Sequence, residues 1–221
     1  MKTHILILTF ACLTAASAAD KLPAMSEAWK NSLTAESNSD YPGALESVLA
    51  YKNAGGETYL AAVRAGWLSY LNQDYVKAIQ YYTTAAKQEP RATTPHLGMM
   101  NVYHAQSKPD DILRAAREVL KIDQFHRHTL LIAGEILFNQ QDYRKAEVFF
   151  ERAHKLQPED PLAMSWFGWA QISQGQGRMA ARLFEKLMQI NPEGYMVRDG
   201  FAITHSSGPP GGPSPGPPGP P

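Results

Sequence analysis

The chain of 221 residues contains a single cysteine, Cys12, and no excess of either charge: 21 Lys and Arg stand against 21 Asp and Glu. One cysteine excludes an internal disulfide framework and a cysteine-rich metal site. Balanced charge excludes the strongly basic class of nucleic-acid binders and the acidic, self-repelling class of disordered chains. No apolar run approaches the ~20 residues that a membrane-spanning helix needs. There is no Asn-x-Ser/Thr sequon. Signatures of catalysis are missing as well. The sequence has no His-Glu-x-x-His pair to hold zinc and no Gly-x-Ser-x-Gly nucleophile turn. Gly175-Gln176-Gly177-Arg178 has no strand before it, so it reads as a turn between helices and not as a phosphate loop. His126-Arg127-His128, with His104 as a third ligand, is the one candidate for a weak metal or pH-sensitive site; solvated loop histidines are the plainer reading. The expectation is a protein that is not an enzyme and carries no cofactor.

Proline and glycine are unevenly placed. Eight of the 16 prolines and five of the 16 glycines fall within Gly208–Pro221. Glycines at 208, 211, 216 and 219 resemble collagen, but the spacing of five between Gly211 and Gly216 breaks the every-third-residue rule. Residues 206–221 are therefore expected to be a disordered, polyproline-II-biased tail, either a spacer or a ligand for an aromatic-lined groove. The opposite end has Lys2, the apolar run Ile5–Leu13, and the small-x-small triplet Ala16-Ser17-Ala18. This is the layout of a cleavable export signal over residues 1–19, cut before Ala19 or, shifted by one, before Asp20. Lipid attachment at Cys12 is the alternative, opposed by the few residues before it and by bulky Phe10. Loss of the signal would discard the only cysteine and leave 20 basic residues against 21 acidic. The expected location is the periplasm or the exterior, and the missing sequons favour a bacterial cell envelope.

Between the two ends lies a repeat. Asn72-Gln73-Asp74-Tyr75-Val76-Lys77-Ala78 matches Gln140-Gln141-Asp142-Tyr143-Arg144-Lys145-Ala146 at an offset of 68, twice 34. Gly66, Gly134 and Gly168 keep the same clock, with Met100 in the skipped position. So do Ala78, Ala146 and Ala180, with Ile112 in the gap. Tyr82, Phe150 and Phe184 follow, with Ala116 in the gap, and Pro90, Pro158 and Pro192, with Gln124 in the gap. A period of this length marks stacked supersecondary units.

The pattern resembles the tetratricopeptide repeat (TPR) family, whose unit is a 34-residue pair of antiparallel helices, A and B. The resemblance covers five units, 25–58, 59–92, 93–126, 127–160 and 161–194, followed by a capping segment, 195–205. It implies an all-α, right-handed solenoid of helix-turn-helix units. Small Gly and Ala would let helices A and B approach, the aromatic would fill the space beside them, and Pro would close helix B. Asp40, Asp74 and Asp142 stand where they can cap helix B. The first unit keeps only Ala44 of the pattern, as terminal repeats often do. The third has two enlargements, Met100 and Ile112, against one reduction, Ala116. It reads as a volume-conserving repacking and not as a break, so that Ala116→Phe would overpack it. Gly200 argues against a regular helix in the cap.

The resemblance further implies a partner-binding groove lined by helices A. Its candidate residues are Trp29, Val63, Trp67, Tyr70, Leu97, Asn101, His104, Leu131, Glu135, Phe138, Trp169 and Ile172. Trp67 and Trp169 hold the same repeat position. The Lys, Asn and Arg with which some members clamp a chaperone's C-terminal carboxylate are absent from these positions. The alternative role for the same side chains is packing between successive helices. The functional expectation is a protein-protein interaction scaffold of the cell envelope that holds a segment of an unidentified protein partner. A periplasmic chaperone or assembly factor for secreted or pilus-type subunits is the alternative.

Overall fold

The computed structural model describes residues 4–194 and 196–206, with side chains from residue 21 onward. The Gly/Pro-rich segment 207–221 and the side chains of the signal segment lie outside the described residues. Among the described residues there are eleven α-helices: α1 (His4–Ser37), α2 (Tyr41–Asn53), α3 (Thr58–Leu71), α4 (Tyr75–Gln88), α5 (Thr94–Ala105), α6 (Pro109–Ile122), α7 (Arg127–Asn139), α8 (Tyr143–Leu156), α9 (Pro161–Ser173), α10 (Gly177–Ile190) and α11 (Val197–His205). The fold class is all-α, built from repeated helix pairs. No helix among the described residues is long and apolar enough to cross a membrane.

The chain divides into two compact units at Lys108–Pro109. The boundary falls between the two helices of the third sequence repeat, the one with Met100, Ile112 and Ala116. The first unit holds α1–α5 and the second α6–α11.

The 34-residue period is sharpest in the turns between helix A and helix B. Each turn is three residues long, and its middle residue has positive φ: Ser39 (61°), Gln73 (59°), Ser107 (53°), Gln141 (63°) and Gly175 (76°). The next residue donates its N–H back across the helix end, as from Asp74 to the Ser69 carbonyl at 2.8 Å and from Asp142 to that of Leu137 at 2.9 Å. This left-handed cap satisfies carbonyls that the helix end would otherwise orphan. The same turns start helix B. Asp40, Asp74 and Asp142 accept hydrogen bonds from the N–H groups of Gly43, Lys77 and Lys145 at 3.0, 3.1 and 3.2 Å. The third repeat keeps the turn at Ser107 but replaces the capping Asp with Lys108, and Pro109 opens α6.

Packing repeats with the same period. Ala44, Ala78, Ala146 and Ala180 are fully buried, and Ile112 in the odd repeat is 5% exposed. The glycines do more than let backbones approach: each makes room for the ring of its own helix B. A methyl built on Gly66 would fall 2.8 Å from Tyr82, on Gly134 2.5 Å from Phe150, and on Gly168 2.7 Å from Phe184. Tyr82 also fills the space over Gly98 of α5. Burial pushes its phenol up to about 12, with the nearby Tyr70 adding to the rise. Phe184 likewise covers Gly200 of α11. Gly200 does not interrupt that helix; it is buried, and α11 runs from Val197 to His205.

Candidate functional site

The twelve groove positions divide by unit. In the first unit they form an open apolar face on helices α1, α3 and α5. Trp67 is 37% exposed, and two leucines on the same helices that are not among the twelve, Leu33 of α1 and Leu60 of α3, are 47% and 46% exposed. Trp29, Val63, Tyr70 and Leu97 are half-buried, and Asn101 and His104 are exposed. A polar brace holds the two tryptophans. Arg64 donates from Nε to Ser32 Oγ and from Nη2 to Glu36 Oε2, both at 2.8 Å. The other oxygen of Glu36 accepts the indole N–H of Trp67 at 2.7 Å. The Arg64 guanidinium lies 5.3 Å from the centre of the Trp29 ring, and Tyr51 lies 5.0 Å from it. Tyr70 extends the surface 5.6 Å from Trp67. Charge-assisted hydrogen bonds of this kind fix side-chain orientation, so the aromatic face is ordered before any ligand arrives, and less entropy is lost on binding.

In the second unit the expectation of contact residues is corrected at four positions. Leu131, Phe138, Trp169 and Ile172 are at most 7% exposed and belong to one apolar cluster. Phe138 is packed between Tyr143 and Trp166, with ring centres 5.0 and 5.5 Å away. Trp169 meets Phe184 edge-on at 5.9 Å. The rings of Trp166 and Phe150 stack at 5.4 Å, closing the same core. Glu135 is half-buried. These side chains hold the repeats together and present little area to a partner. Trp67 and Trp169, equivalent in sequence, thus differ in burial, 37% against 2% exposed.

The histidines also resolve into separate roles. His126 caps α7, its Nδ1 accepting from the Thr129 hydroxyl at 2.8 Å and from the Thr129 N–H at 3.3 Å. Among the described residues no group of three His, Cys, Asp or Glu side chains converges as a metal site would require.

A second feature has no marker among the groove positions. A cleft of about 630 Å³ opens between α6 and α8 over α7. Ala116 lines it, at the repeat position that an aromatic holds in the other units. Its methyl is nonetheless covered: Ala116 is 1% exposed, and Met100 and Ile112 of the same repeat are 3% and 5% exposed, so the larger residues of the third repeat are buried where small ones sit in the others. Arg117, Lys121, Lys145 and Arg152 surround the cleft. Only the fold shows the basic residues of two helices B sharing one opening.

No family model matches the chain. Anaphase-promoting complex subunit 6 from Arabidopsis thaliana is 27% identical over 128 residues, 58% of this chain and 23% of that protein. Anaphase-promoting complex subunit CDC23 of Saccharomyces cerevisiae is 28% identical over 111 residues, 50% of this chain and 18% of that one. The chain therefore spans less than a quarter of the length of these curated relatives. Among solved structures, a tetratricopeptide repeat protein from Parabacteroides merdae aligns with a TM-score of 0.67 and 18% identity, covering 82% of this chain and 72% of that one. MamA from Desulfovibrio magneticus aligns with a TM-score of 0.62 and 14% identity, covering 77% of this chain and 97% of that one. Such likeness speaks to the fold, and the 34-residue recurrence of turn, cap, glycine and ring agrees with it: the fold is that of tetratricopeptide-repeat proteins.

Proposed function

We propose that the chain is an exported scaffold of the bacterial cell envelope that holds an apolar segment of a partner protein against the face formed by α1, α3 and α5. Tetratricopeptide repeats in general serve as protein-protein interaction scaffolds and not as catalysts. The observation that carries the finer reading is the ordered, exposed set of Leu33, Leu60 and Trp67 beside Tyr70. Exposed apolar residues that lie together are characteristic of interaction sites, and large aromatics at their centre supply most of the binding energy. Export is supported by Lys2, the apolar run Ile5–Leu13 and the triplet Ala16-Ser17-Ala18.

The test pairs two measurements. Sequencing the N-terminus of protein recovered from the envelope should give Ala19 or Asp20 as the first residue; recovery in the cytosol with Met1 intact would remove the export part. Capture from envelope extract should retain one stoichiometric partner with the wild-type chain and lose it with Trp67→Ala. Many exported proteins held weakly would instead indicate a chaperone, and identical capture by both chains would reject this face as the site.

A further inference from the structure

The groove implied by the family resemblance is lined by helices A, whereas α6 and α8 are both helices B. Leu113, Arg117 and Leu120 share one face of α6, and Lys145, Phe149 and Arg152 one face of α8, both at the spacing i, i+4, i+7. Leu113, Leu120 and Phe149 are partly buried and pack on one side against the core of the second unit. Ala116 and Ala133, each 1% exposed, close the floor of the cleft beneath them. A smaller opening of about 280 Å³ continues the cleft past Arg152, and there Phe125 and Leu156 are exposed. The two openings share Gln124 and Arg152 and form one track. From Leu113 to Gln124 the track runs about 16 Å along α6, at the helical rise of ~1.5 Å per residue.

The edges of this track are cationic. Arg117, Lys121, Lys145, Arg152 and Lys155 line it against one carboxylate, Asp142. Lys121 pairs with Glu118 at 2.7 Å, Lys145 with Asp142 at 2.6 Å and Lys155 with Glu151 at 2.7 Å. These lysines are largely exposed, and exposed pairs of this type are weak and readily exchanged. Arg117 and Arg152 belong to none of the three pairs. Arg152 donates to the Gln124 carbonyl at 2.8 Å and lies 5.9 Å from the centre of the Phe149 ring. Its guanidinium is thereby held at the junction of the two openings with donors left for a ligand.

We propose that this track binds an acidic amphipathic helix of a partner protein. An aliphatic stripe lies against Leu113, Leu120, Phe149 and Leu156, and carboxylates run along both edges. Charge complementarity selects the carboxylates, which guanidinium groups bind through paired hydrogen bonds. The chain's own residues 206–221 carry no charged side chain and are not the complement. The walls of the track select a helix. They are themselves helices, whose backbone groups bond along their own axes. An extended segment would find no strand edge to pair with and would lay unpaired N–H and C=O groups on the apolar floor. A helix satisfies its own backbone and presents apolar residues at i, i+3, i+4 and i+7. The site is independent of the aromatic face of α1, α3 and α5, and either can fail without the other.

The probe is the acetylated, amidated peptide Glu-Leu-Glu-Glu-Leu-Leu-Glu-Glu-Leu-Glu-Glu-Leu-Leu-Glu, titrated into the full chain and followed by methyl NMR and circular dichroism. Saturable binding is expected, with shifts at the methyls of Leu113, Leu120 and Leu156 and a gain in helical signal. A scramble of the same composition that spreads the leucines around the helix should bind about tenfold more weakly or worse. Arg117→Glu reverses a charge at an exposed position. It should weaken binding about tenfold and make the remainder less sensitive to salt. Lys121→Glu, on the same edge, should act in the same direction. No binding, equal binding of the scramble, equal binding of a counterpart with lysine for every glutamate, or shifts confined to the methyls of Leu33 and Leu60 would overturn the proposal. So would phosphatidylglycerol vesicles shifting the same methyls while the peptide does not, which would make the track a membrane contact.

Discussion

Gly200 of α11 lies directly against the ring of Phe184 in α10, and it is the absence of a side chain at 200 that seats the ring. Phe184 is fully buried and is held from the other side by Gly168. A ring enclosed in this way cannot swing aside.

Gly200→Ala should therefore destabilise the protein by about 1–3 kcal/mol, the usual cost of overpacking a core. This is despite the helix-propensity gain of up to ~1 kcal/mol that alanine brings inside a helix. Gly177→Ala is the control. Gly177 opens α10, its φ is not in the left-handed region, and nothing lies within 4 Å of an added methyl. That variant should be neutral or slightly stabilising, through lower unfolded-chain entropy. Denaturant midpoints of the two proteins check the contrast. Equal effects would mean that the Phe184 contact does not decide the residue at 200.

The left-handed turn residues give a second prediction. Gln73 and Gln141 occupy the φ > 0 position that Gly175 occupies in the fifth repeat. A side chain with a Cβ costs roughly 1 kcal/mol there relative to glycine. Gln141→Gly should raise stability by about that amount, less the extra entropy glycine loses on folding. Gly175→Ala should lower it by a similar amount, even though nothing lies within 4 Å of its added methyl, because the strain is in the backbone. Thermal melts read both signs.

Much of this fold was legible because steric rules repeat on one period. Glycine, alanine, aromatic and proline each report a fixed place in a helix pair, and the spacing of 34 assigned them together. The three capping aspartates were legible for the same reason. What stayed hidden depended on neighbours along the stack. Trp67 and Trp169 share a repeat position, yet one is braced by Glu36 at the surface and the other is packed against Phe184. No local pattern separates them. The place of Gly200 inside α11 was hidden for the same reason, since its partner, Phe184, comes from the preceding helix.

The tryptophan pair can be separated by experiment. Trp169→Ala removes a large side chain that is 2% exposed and should cost about 3–5 kcal/mol, as for other buried aromatics. Trp67→Ala removes a side chain that is 37% exposed and should cost about 1 kcal/mol or less, mainly through the lost bond to Glu36. Binding should follow the opposite order, with Trp67→Ala the more damaging per unit of stability lost. Parallel denaturation and partner titrations of the two variants measure this. If both lose stability equally, Trp67 is a core residue too, and the face of α1, α3 and α5 loses its anchor.

Two histidines should titrate in opposite directions. His205 donates toward Glu185 Oε1 from Nε2 at 3.1 Å and toward the Phe201 carbonyl from Nδ1 at 2.9 Å, and only the doubly protonated ring satisfies both. The Glu185 carboxylate first, and then the Phe201 carbonyl, hold its pKa above the ordinary value of 6.5. His154 is pushed below that value, chiefly by burial and then by the charge on Lys186. Among the described residues its Nδ1 is buried without a hydrogen-bond partner. The two signs follow from linkage. The stability contributed by His205 is fully present below the unfolded value and is lost as pH rises through its raised folded value. That of His154 is present above the unfolded value and is lost as pH falls through its lowered one. Amides of α11 should accordingly exchange faster at pH ~8 than at pH ~5.5, after correction for intrinsic rates, because the tie from His205 to α10 releases on the alkaline side. His205→Gln should flatten that dependence while leaving the His154 titration in place. Proton NMR of the imidazole rings reads both values directly, and a His205 value at or below that of His154 would mean that the contact with Glu185 does not form in solution.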